Sequence, residues 1–380
     1  MKFDNSSLYN IASTLEGTRY SLFDLATWKN GFAFKQTHFS ESGVPIIKIA
    51  ELNNGIGSTT AYTQQVFSNE VHLKKGDLLF SWSGNPQTSI DVFRFSLEEG
   101  WLNQHIFKVT PKEELVTKDF FFFLMKYLKP HFTQIATNKQ TTGLGHITIA
   151  DIKRMSIIIP SLEMQKAIVA HIKPIDDKIT LNMAINDNLE QQAQAIYTQY
   201  FIKNKASNWK LGQLSDLILV KYGKDHKKLA DGIYPVYGSG GIMRYVERPL
   251  YTGESVLIPR KGTLNNVTYV NGSFWSVDTM FYTEMLHPNV AKYVYLFLKS
   301  RDLASLNAGS AVPSMTTNIL NAMQIYIPDK KVLAYFEEAV SPLYLTIQKN
   351  EEQSSTLVEL RDALLPKLMS GELDVSAVNL

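Results

Sequence analysis

The sequence predicts an α+β protein in which two similar domains are joined by two long antiparallel coiled-coil helices, as an internal pseudo-two-fold repeat. The first observation is length, because a chain of 380 residues exceeds what one hydrophobic core usually organises. The second is a duplication: "HITIADIKRMSIIIPSLEMQ" at 146–165 corresponds to "SMTTNILNAMQIYIPDKKVL" at 314–333 when Pro160 is superposed on Pro328. The third is a long seam of apolar residues that follows each copy.

The segments before the two prolines occur in the same order in both halves. "SLFDLATWKNG" from Ser21 aligns with "QLSDLILVKYG" from Gln213, so that Gly31 corresponds to Gly223. Alternating apolar residues in "KGDLLFSWSG" and "TGESVLIPRKG" predict a strand that ends in a glycine turn. Short helices are predicted for "KDFFFFLMKYLKP" and "NVAKYVYLFLKSR". Each half is therefore expected to fold as one α+β domain.

Each half closes with a β-type run, a proline and a helix. Proline lacks an amide hydrogen, so it ends strand pairing, and its fixed φ directs the chain into the helix. A second proline, Pro174 or Pro342, is expected to break or kink each helical stretch, so that the main helices start near residues 175 and 343. The expected organisation is an N-terminal segment at 1–17, a domain at 18–160, a helical spacer at 161–206, a domain at 207–328 and a second helical spacer at 329–380.

The apolar positions of both helical stretches alternate by threes and fours, which is typical of a coiled-coil seam. The seam comprises Ile168, Ile172, Ile175, Ile179, Leu189, Ala193, Ile196 and Tyr200, and then Phe336, Val340, Leu343, Ile347, Leu357, Leu360, Leu364 and Leu368. Asn182 and Asn350 interrupt it at corresponding places, where a polar residue fixes helix register and partner. The alternative is a helix lying along its own domain, but about 27 residues would extend about 40 Å, longer than such a domain requires.

Composition bounds the class of protein without identifying a partner. Hydrophobic residues at 44% and aromatic residues at 11% are typical of a folded chain, and the absence of cysteine excludes disulfides and thiolate metal sites. The first residues, "MKFDNSSLYN", contain no apolar signal core, and "FFFFLM" is too short to span a bilayer, so a cytoplasmic protein is expected. A net charge of +2 is too small to indicate a polyanionic partner.

The sequence contains no convincing catalytic constellation. Its eight histidines have neither HExxH nor paired-ligand spacing, so structural or loop positions are expected for them. There is no GxxxxGK[ST] phosphate loop, and the glycines of "YGSGGIM" at 237–243 are not followed by a helix, as a dinucleotide site requires. "SGNPQT" at 83–88 has only a faint similarity to the Asn-Pro-Pro-aromatic loop of amino-methyltransferases, and we interpret it as a turn. Catalysis by this chain alone is not expected.

The remaining chemistry lies in loops that combine cations, amides and hydroxyls, such as "TNKQTTG" at 137–143, "VKYGKDHKK" at 220–228 and "PRKGTLNN" at 259–266. Lys and Arg suit phosphates, whereas Arg, Asn and Gln can bind base edges bidentately. Solvated loops have the same composition, but "TNKQTTG" and "NAGSAVPS" precede the closing run at matching places with different residues, as expected for two recognition modules. The candidate DNA contacts, including residues of the two glycine turns, are Ser83, Asn85, Lys139, Gln140, Thr141, Thr142, Lys221, Lys224, Ser239, Arg244, Arg260, Lys261 and Asn265.

Several of these segments resemble one protein family. "LVELRDALLPKLMSGELDV", from Leu357 to Val375, closely resembles the C-terminal signature of the specificity subunits of type I restriction-modification enzymes. "IIIPSLEMQKAIVAHI" resembles the Pro-x-Leu-x-x-Gln segment of that family, at Pro160, Leu162 and Gln165, whereas "IPDKKVLAYF" lacks the glutamine. "GDLLFSWSG", "LNQHIFKV", "SVLIPRKGTLNNVTYV" and "FWSVDTMFY" are similar to pieces of its target recognition domains, so the resemblance covers residues 18 to 375.

This resemblance implies a non-catalytic subunit that recognises double-stranded DNA. Each of two target recognition domains would read one half of a split site, and the paired helices would act as the spacer. The implied partners are two methyltransferase (modification) subunits, which bring S-adenosylmethionine, and restriction subunits that use ATP with magnesium to translocate and cleave DNA. No cofactor or metal is expected on this chain itself.

Two other classes of function remain open from the sequence. A duplicated coiled-coil adaptor would bind proteins rather than DNA, and salt-dependent binding to duplex DNA would distinguish it from a specificity subunit. An enzyme that uses the glycine turns for a nucleotide would need titratable residues converging in one pocket.

Overall fold

The computed structural model describes residues 6–57, 59–140, 143–307 and 313–375, which belong to two compact units. Unit 1 comprises Met1–Thr180 and Gln353–Leu380, and unit 2 comprises Leu181–Glu352. Two long helices, α6 and α9, each contribute residues to both units. Within the described residues, no helix has the combination of length and apolar character that crossing a membrane requires.

Unit 1 is a mixed α+β unit. Its elements are α1 (Ser6–Tyr9), β1 (Thr18–Ser21), β2 (Ala26–Asn30), β3 (Val44–Ile47), α2 (Ile49–Asn54), β4 (Tyr62–Thr63), β5 (His72–Lys74), β6 (Leu78–Ser81), β7 (Ser83–Gly84), β8 (Asp91–Arg94), β9 (Glu99–Leu102), β10 (Ile106–Pro111), α3 (Lys118–Tyr127), α4 (Lys129–Asn138), β11 (Gly145–His146), α5 (Ile149–Arg154), β12 (Ser156–Ile159) and the first part of α6 (Leu162–Tyr197). One four-stranded sheet has the order β2-β10-β6-β8 and the other β4-β3-β9-β5, while β1 pairs with β12 and β11 with β7. The β3–β9 pair is parallel, and the other pairs are antiparallel.

Unit 2 repeats this plan with longer strands. Its elements are β13 (Lys210–Gln213), β14 (Ile218–Tyr222), β15 (Asp231–Gly238), β16 (Gly241–Val246), β17 (Tyr251–Pro259), β18 (Thr268–Ser276), β19 (Met280–Met285), α7 (Ala291–Lys299), α8 (Thr317–Asn321), β20 (Gln324–Ile327) and the first part of α9 (Lys330–Ser370). Helix α6 enters this unit and ends in a π-helical turn, Thr198–Lys203. One six-stranded sheet has the order β14-β19-β17-β18-β15-β16, and β13 pairs with β20.

Both predicted short helices form, and each is the main apolar element packed against a sheet. All residues of "FFFFLM" in α3 are buried, because the helix lies inside the unit 1 core rather than on its surface. The Thr117 hydroxyl accepts a hydrogen bond from the Phe120 amide and so caps the first turn. In unit 2 the whole of α7 except its last residue is buried.

The strand, proline and helix that close each half are present as predicted, but the strands are shorter. Only Ser156–Ile159 and Gln324–Ile327 pair as strands. The residues before them form the short helices α5 and α8, because Thr148 and Thr316 cap the amides of Asp151 and Ile319. The prediction of an uninterrupted β-type run before each proline was therefore wrong, since a local capping signal overrides the β-branched composition.

The prediction that the main helices start after Pro174 and Pro342 was also wrong. Helix α6 runs from Leu162 to Tyr197 with Pro174 inside it, and α9 runs from Lys330 to Ser370 with Pro342 inside it. The main helices therefore start at 162 and 330 rather than near 175 and 343. A proline removes one main-chain hydrogen bond from a helix, but the buried apolar residues on either side of it keep the helix continuous.

The apolar seam is buried within each unit, and the helices are antiparallel. In unit 1, Ile168 and Ile172 share a core with Leu368, and the Arg361 guanidinium lies 3.1 Å from the Asp176 carboxylate. In unit 2, Ala193 of α6 shares a core with the seam residues Phe336, Val340 and Ile347 of α9. One predicted seam residue, Leu360, is exposed.

Asparagines connect the two helices within unit 2. Asn182 is fully buried, and its side-chain amide donates to the Asn350 carbonyl oxygen at 3.3 Å. The Asn350 amide in turn donates to Asn186 Oδ1 at 2.8 Å. These bonds fix one register of the two helices. Sliding one helix by a turn would separate the buried Asn182 amide from its acceptor.

A buried charge cluster ties the unit 2 sheet to the helices. Lys292 of α7 is only 5% exposed, and its ammonium lies 2.8 Å from Glu254 of β17 and 2.6 Å from Glu337 of α9. The Tyr269 hydroxyl also donates to Glu254. Burial alone raises the pKa of Glu254, but the hydrogen bonds from Lys292 and Tyr269 outweigh it and hold that pKa below its ordinary value.

Gln165, near the start of α6, connects that helix to the rest of unit 1, and the start of α9 has no glutamine at the matching place. Gln165 is fully buried, and its Oε1 accepts from the Thr117 amide at 2.8 Å. Its Nε2 donates to the carbonyl oxygens of Leu115 and Pro160, at 3.0 and 2.9 Å. The corresponding residue in the second half, Leu333, is buried in the unit 2 core, so the two helix starts do not make equivalent contacts.

Replacing this glutamine should destabilise unit 1. In Gln165→Leu, one amide and two carbonyl groups lose their buried partners, so we expect the free energy of unfolding to fall by roughly 2–4 kcal/mol. Thermal and denaturant unfolding of the two variants measures the change. The matched control is Gln192→Leu in the same helix, where an exposed side chain bonds only to Asn188 and the cost should stay under about 0.5 kcal/mol. Equal stability of the two variants would contradict this role for Gln165.

Candidate functional site

In each unit, the ends of several strands come together at one end of the sheet, and predicted contact residues lie there. We call this region the edge of the unit. In unit 1, β2 ends at Asn30 and β6 at Ser81, and both ends flank the start of β10 at Ile106. The unit 1 edge comprises residues 30–32, 81–85, 103–105 and 145–146. The corresponding unit 2 edge comprises residues 222–224, 238–241, 260–262, 277–279 and 314, beyond the ends of β14, β15, β17 and β18.

The same main-chain hydrogen bonds close both edges. The amides of Gly31 and Gly223 donate to the carbonyl oxygens of Ile106 and Met280, in each case at 3.0 Å. The amide of Ile147 donates to the Trp82 oxygen at 2.8 Å, and that of Met315 donates to the Arg260 oxygen at 2.9 Å. The amide of Trp82 donates to the His105 oxygen at 3.1 Å, and that of Arg260 donates to the Thr279 oxygen at 2.9 Å. These bonds make the two edges one backbone structure, built twice.

The equivalent positions carry different side chains. By these hydrogen bonds and the neighbouring β-bridges, the equivalent pairs are Trp82 with Arg260, Ser83 with Lys261, His105 with Thr279, and His146 with Ser314. An indole, a hydroxyl and two imidazoles on one edge thus correspond to two cations and two hydroxyls on the other. Equivalent backbones with unlike side chains are suited to binding two different sequences of one kind of ligand.

The aligned glycines explain how the chain turns at each edge. A Cβ atom added at Gly31 would lie 2.0 Å from the Asn103 carbonyl oxygen, and one at Gly223 would lie 2.0 Å from the Val277 oxygen. Neither place can hold a side chain without moving the backbone. The alignment of these two glycines in the sequence therefore reflects one close approach of two chain segments.

Aromatic and uncharged polar groups dominate the unit 1 edge. The Trp82 indole nitrogen donates to Asn30 Oδ1 at 3.0 Å, and its ring stacks on Phe107 with the centroids 5.7 Å apart. The His105 ring lies against the same indole, at 5.0 Å between centroids. Asn30, Asn85 and His105 are exposed, so they present hydrogen-bonding groups to solvent.

Cations dominate the unit 2 edge. The Arg260 guanidinium lies over the Tyr222 ring at 5.3 Å and donates to the Asp278 carbonyl oxygen at 3.1 Å. Lys224 and Lys261 are exposed on either side of it. Such a set suits phosphate groups and, through arginine, the paired acceptors of a guanine edge.

Of the predicted contact residues, several lie on the two edges. Those at an edge are Ser83, Asn85, Lys224, Ser239, Arg260 and Lys261. Lys221 is half-buried in β14, one residue before the unit 2 edge. Gln140 is exposed in the loop that precedes β11, and Thr141 and Thr142 lie outside the described residues.

Three other predicted residues are held by internal partners. Lys139 contacts both oxygens of the buried Asp151 at 2.5 Å, where the Thr148 hydroxyl also donates. Although burial raises the pKa of Asp151, the hydrogen bonds from Lys139 and Thr148 lower it below its ordinary value. Arg244 binds Asp231 at 2.7 Å, and the Asn265 amide donates to Asp302 at 3.0 Å.

The sequence did not indicate four residues of the unit 1 edge as contact residues, namely Asn30, Trp82, His105 and His146. The strands "KGDLLFSWSG" and "LNQHIFKV" were identified, but nothing in either pattern shows that the end of one lies beside the start of the other. Among the described residues, there is no group of three or more His, Asp or Glu side chains arranged to hold a metal ion.

The chain matches the family model for the type I restriction modification DNA specificity domain over residues 17–191 and again over 206–352. It is 22% identical to the type I restriction enzyme HindI specificity subunit of Haemophilus influenzae, covering 79% of this chain and 87% of that one. It is 24% identical to the MjaIX specificity subunit of Methanocaldococcus jannaschii, covering 72% of this chain and 73% of that one. Among solved structures, the S subunit of a type I restriction-modification system from M. genitalium has a similar fold, with a TM-score of 0.53 at 16% identity over 97% of this chain and 98% of that one.

Proposed function

The chain belongs to the type I restriction modification DNA specificity family, and we propose that it is a non-catalytic subunit that reads a bipartite double-stranded DNA site. Each edge would contact one half-site, and helices α6 and α9 would set the distance between the two halves. The observation that carries this proposal is the pair of equivalent edges, because they share main-chain hydrogen bonds but differ in side chains.

The partners follow from the family rather than from the fold. We infer that two methyltransferase subunits dock on the chain and supply S-adenosylmethionine, and that restriction subunits supply ATP-driven translocation with magnesium. The chain's own contribution is to choose the sequence on which those subunits act.

Binding to duplex DNA at different salt concentrations tests this proposal against the adaptor. For roughly six to ten phosphate contacts, affinity should fall by about 10³- to 10⁵-fold between 50 and 200 mM salt. The assembled complex and a cognate duplex, identified by methylation profiling, are the materials for this measurement. Absence of any salt-dependent DNA binding would favour the adaptor.

Removing a cation from the unit 2 edge should change one half-site only. In Arg260→Ala, loss of a guanine contact would relax one base position with a cost of about 1–3 kcal/mol, whereas loss of a phosphate contact would weaken all sequences alike. Methylation profiling of the assembled enzyme distinguishes these outcomes. The control is Arg301→Ala, which removes an arginine that lies over the Phe297 ring outside the unit 2 edge and should leave the motif unchanged. A change in both half-sites would contradict the separate action of the two edges.

A further inference from the structure

His105 is the residue of the unit 1 edge whose backbone is strained. Its φ is 73°, in the left-handed region that side chains with a Cβ rarely adopt. Among the described residues, the only other non-glycine residue with a positive φ is Asn289, at 61°. Histidine tolerates this region better than most residues, but glycine would adopt it without strain.

Closing the edge does not require this strain. The carbonyl oxygen of His105 accepts from the Trp82 amide, and Thr279 makes the same bond to Arg260 in unit 2 with an ordinary negative φ. The His105 side chain is exposed, so it fills no part of the core. A strained backbone that holds an exposed polar side chain is typical of a functional position.

The surroundings of His105 fix its orientation. Its ring packs against the Trp82 indole, which is itself held by the hydrogen bond to Asn30 and by stacking on Phe107. The indole therefore supports the exposed imidazole through one edge-on ring contact, which lowers the conformational entropy that the side chain loses on binding.

We propose that His105 is a specificity-determining residue, whose imidazole N–H donates a hydrogen bond to an acceptor on a base edge in the unit 1 half-site. Guanine N7 and O6, adenine N7 and thymine O4 are such acceptors in the major groove. This inference rests on the proposed function, and it adds a residue that the loop composition did not indicate.

The experiment replaces the side chain without imposing strain. In His105→Gly, relief of the positive φ offsets the larger conformational entropy that glycine gives the unfolded chain, so we expect a melting temperature close to that of the wild type. Discrimination at one base position of one half-site should fall by roughly 2- to 13-fold in methylation assays of the assembled enzyme on matched duplexes, as expected for the loss of one hydrogen bond. His105→Asn, which also tolerates a positive φ and has an amide of shorter reach, should alter the same base position.

Asn289→Gly is the matched control, because it relieves the same kind of strain away from either edge and should leave the motif unchanged. An unchanged motif in His105→Gly, or equal loss at every base position, would overturn the assignment. The wild-type complex distinguishes failure of this assignment from failure of the proposed function. A wild-type complex without sequence-specific methylation would refute both the proposed function and the role of His105. A specific wild-type complex together with an equally specific variant would refute only the role of His105.

Discussion

Seven residues added to both long helices should lengthen the spacer between the two half-sites by about three base pairs and leave both half-site sequences unchanged. Seven residues restore the phase of the seam and extend a helix by roughly 10 Å, which corresponds to about three base pairs of duplex. Insertions after Thr180 and after Glu352 fall where the chain passes between the units, so they keep the contacts within each unit. Methylation profiling of the assembled enzyme reads the spacer length directly.

Insertions of two residues at the same places provide the control. They rotate the following apolar positions by about half a turn, which removes the seam from the interface, so we expect loss of stability rather than a new spacer length. A stable seven-residue double insertion that left the spacer of the methylated motif unchanged would show that the helices do not set it.

Replacing Lys292 by methionine should destabilise unit 2 by up to about 3 kcal/mol, because two half-buried carboxylates lose their common cation. In the wild type the pKa of Glu254 is depressed, so its stabilising contribution is present above the ordinary value of 4.5 and lost as the pH falls through the folded pKa. The deficit of the variant should therefore shrink in acid, as the unpaired Glu254 carboxylate binds a proton. Unfolding curves at pH 7 and pH 4 measure both effects.

Lys173→Met is the matched control for Lys292→Met. Lys173 pairs with Asp177 one helical turn away on the exposed surface of α6, at 2.9 Å, and such a pair contributes only about 0.3–0.5 kcal/mol. Adding Glu254→Gln and Glu337→Gln to Lys292→Met should recover much of the loss, because neutral amides require less compensation in the core. A cost for Lys292→Met no larger than that of Lys173→Met would contradict the buried-cluster interpretation.

The duplication and the helical seam could be predicted because they are local and periodic. Superposing Pro160 on Pro328 aligned Ile147 with Met315 and Ile152 with Leu320, and all four side chains are buried in their respective cores. The prolines inside the helices were misjudged because a helix of this length is held by its packed face, which intrinsic propensity does not include.

The candidate edges were only partly predictable, since composition identifies polar loops but not their partners. Lys139 and Arg260 look alike in the sequence, as cations in polar loops. The fold places Lys139 on a buried aspartate 12 residues further along the chain and leaves Arg260 at the unit 2 edge. His105 gave no signal at all, because a positive φ is decided by the tertiary contacts of its neighbours.

The main-chain closure of the two edges has a consequence for how the target of such a protein changes during evolution. Because main-chain amides and carbonyl groups close each edge, substitutions at exposed positions such as Lys261 and His146 leave those bonds in place. The exposed side chains of an edge can therefore change while its backbone structure is kept. A few such substitutions can give the protein a new recognition sequence without an intermediate that fails to fold.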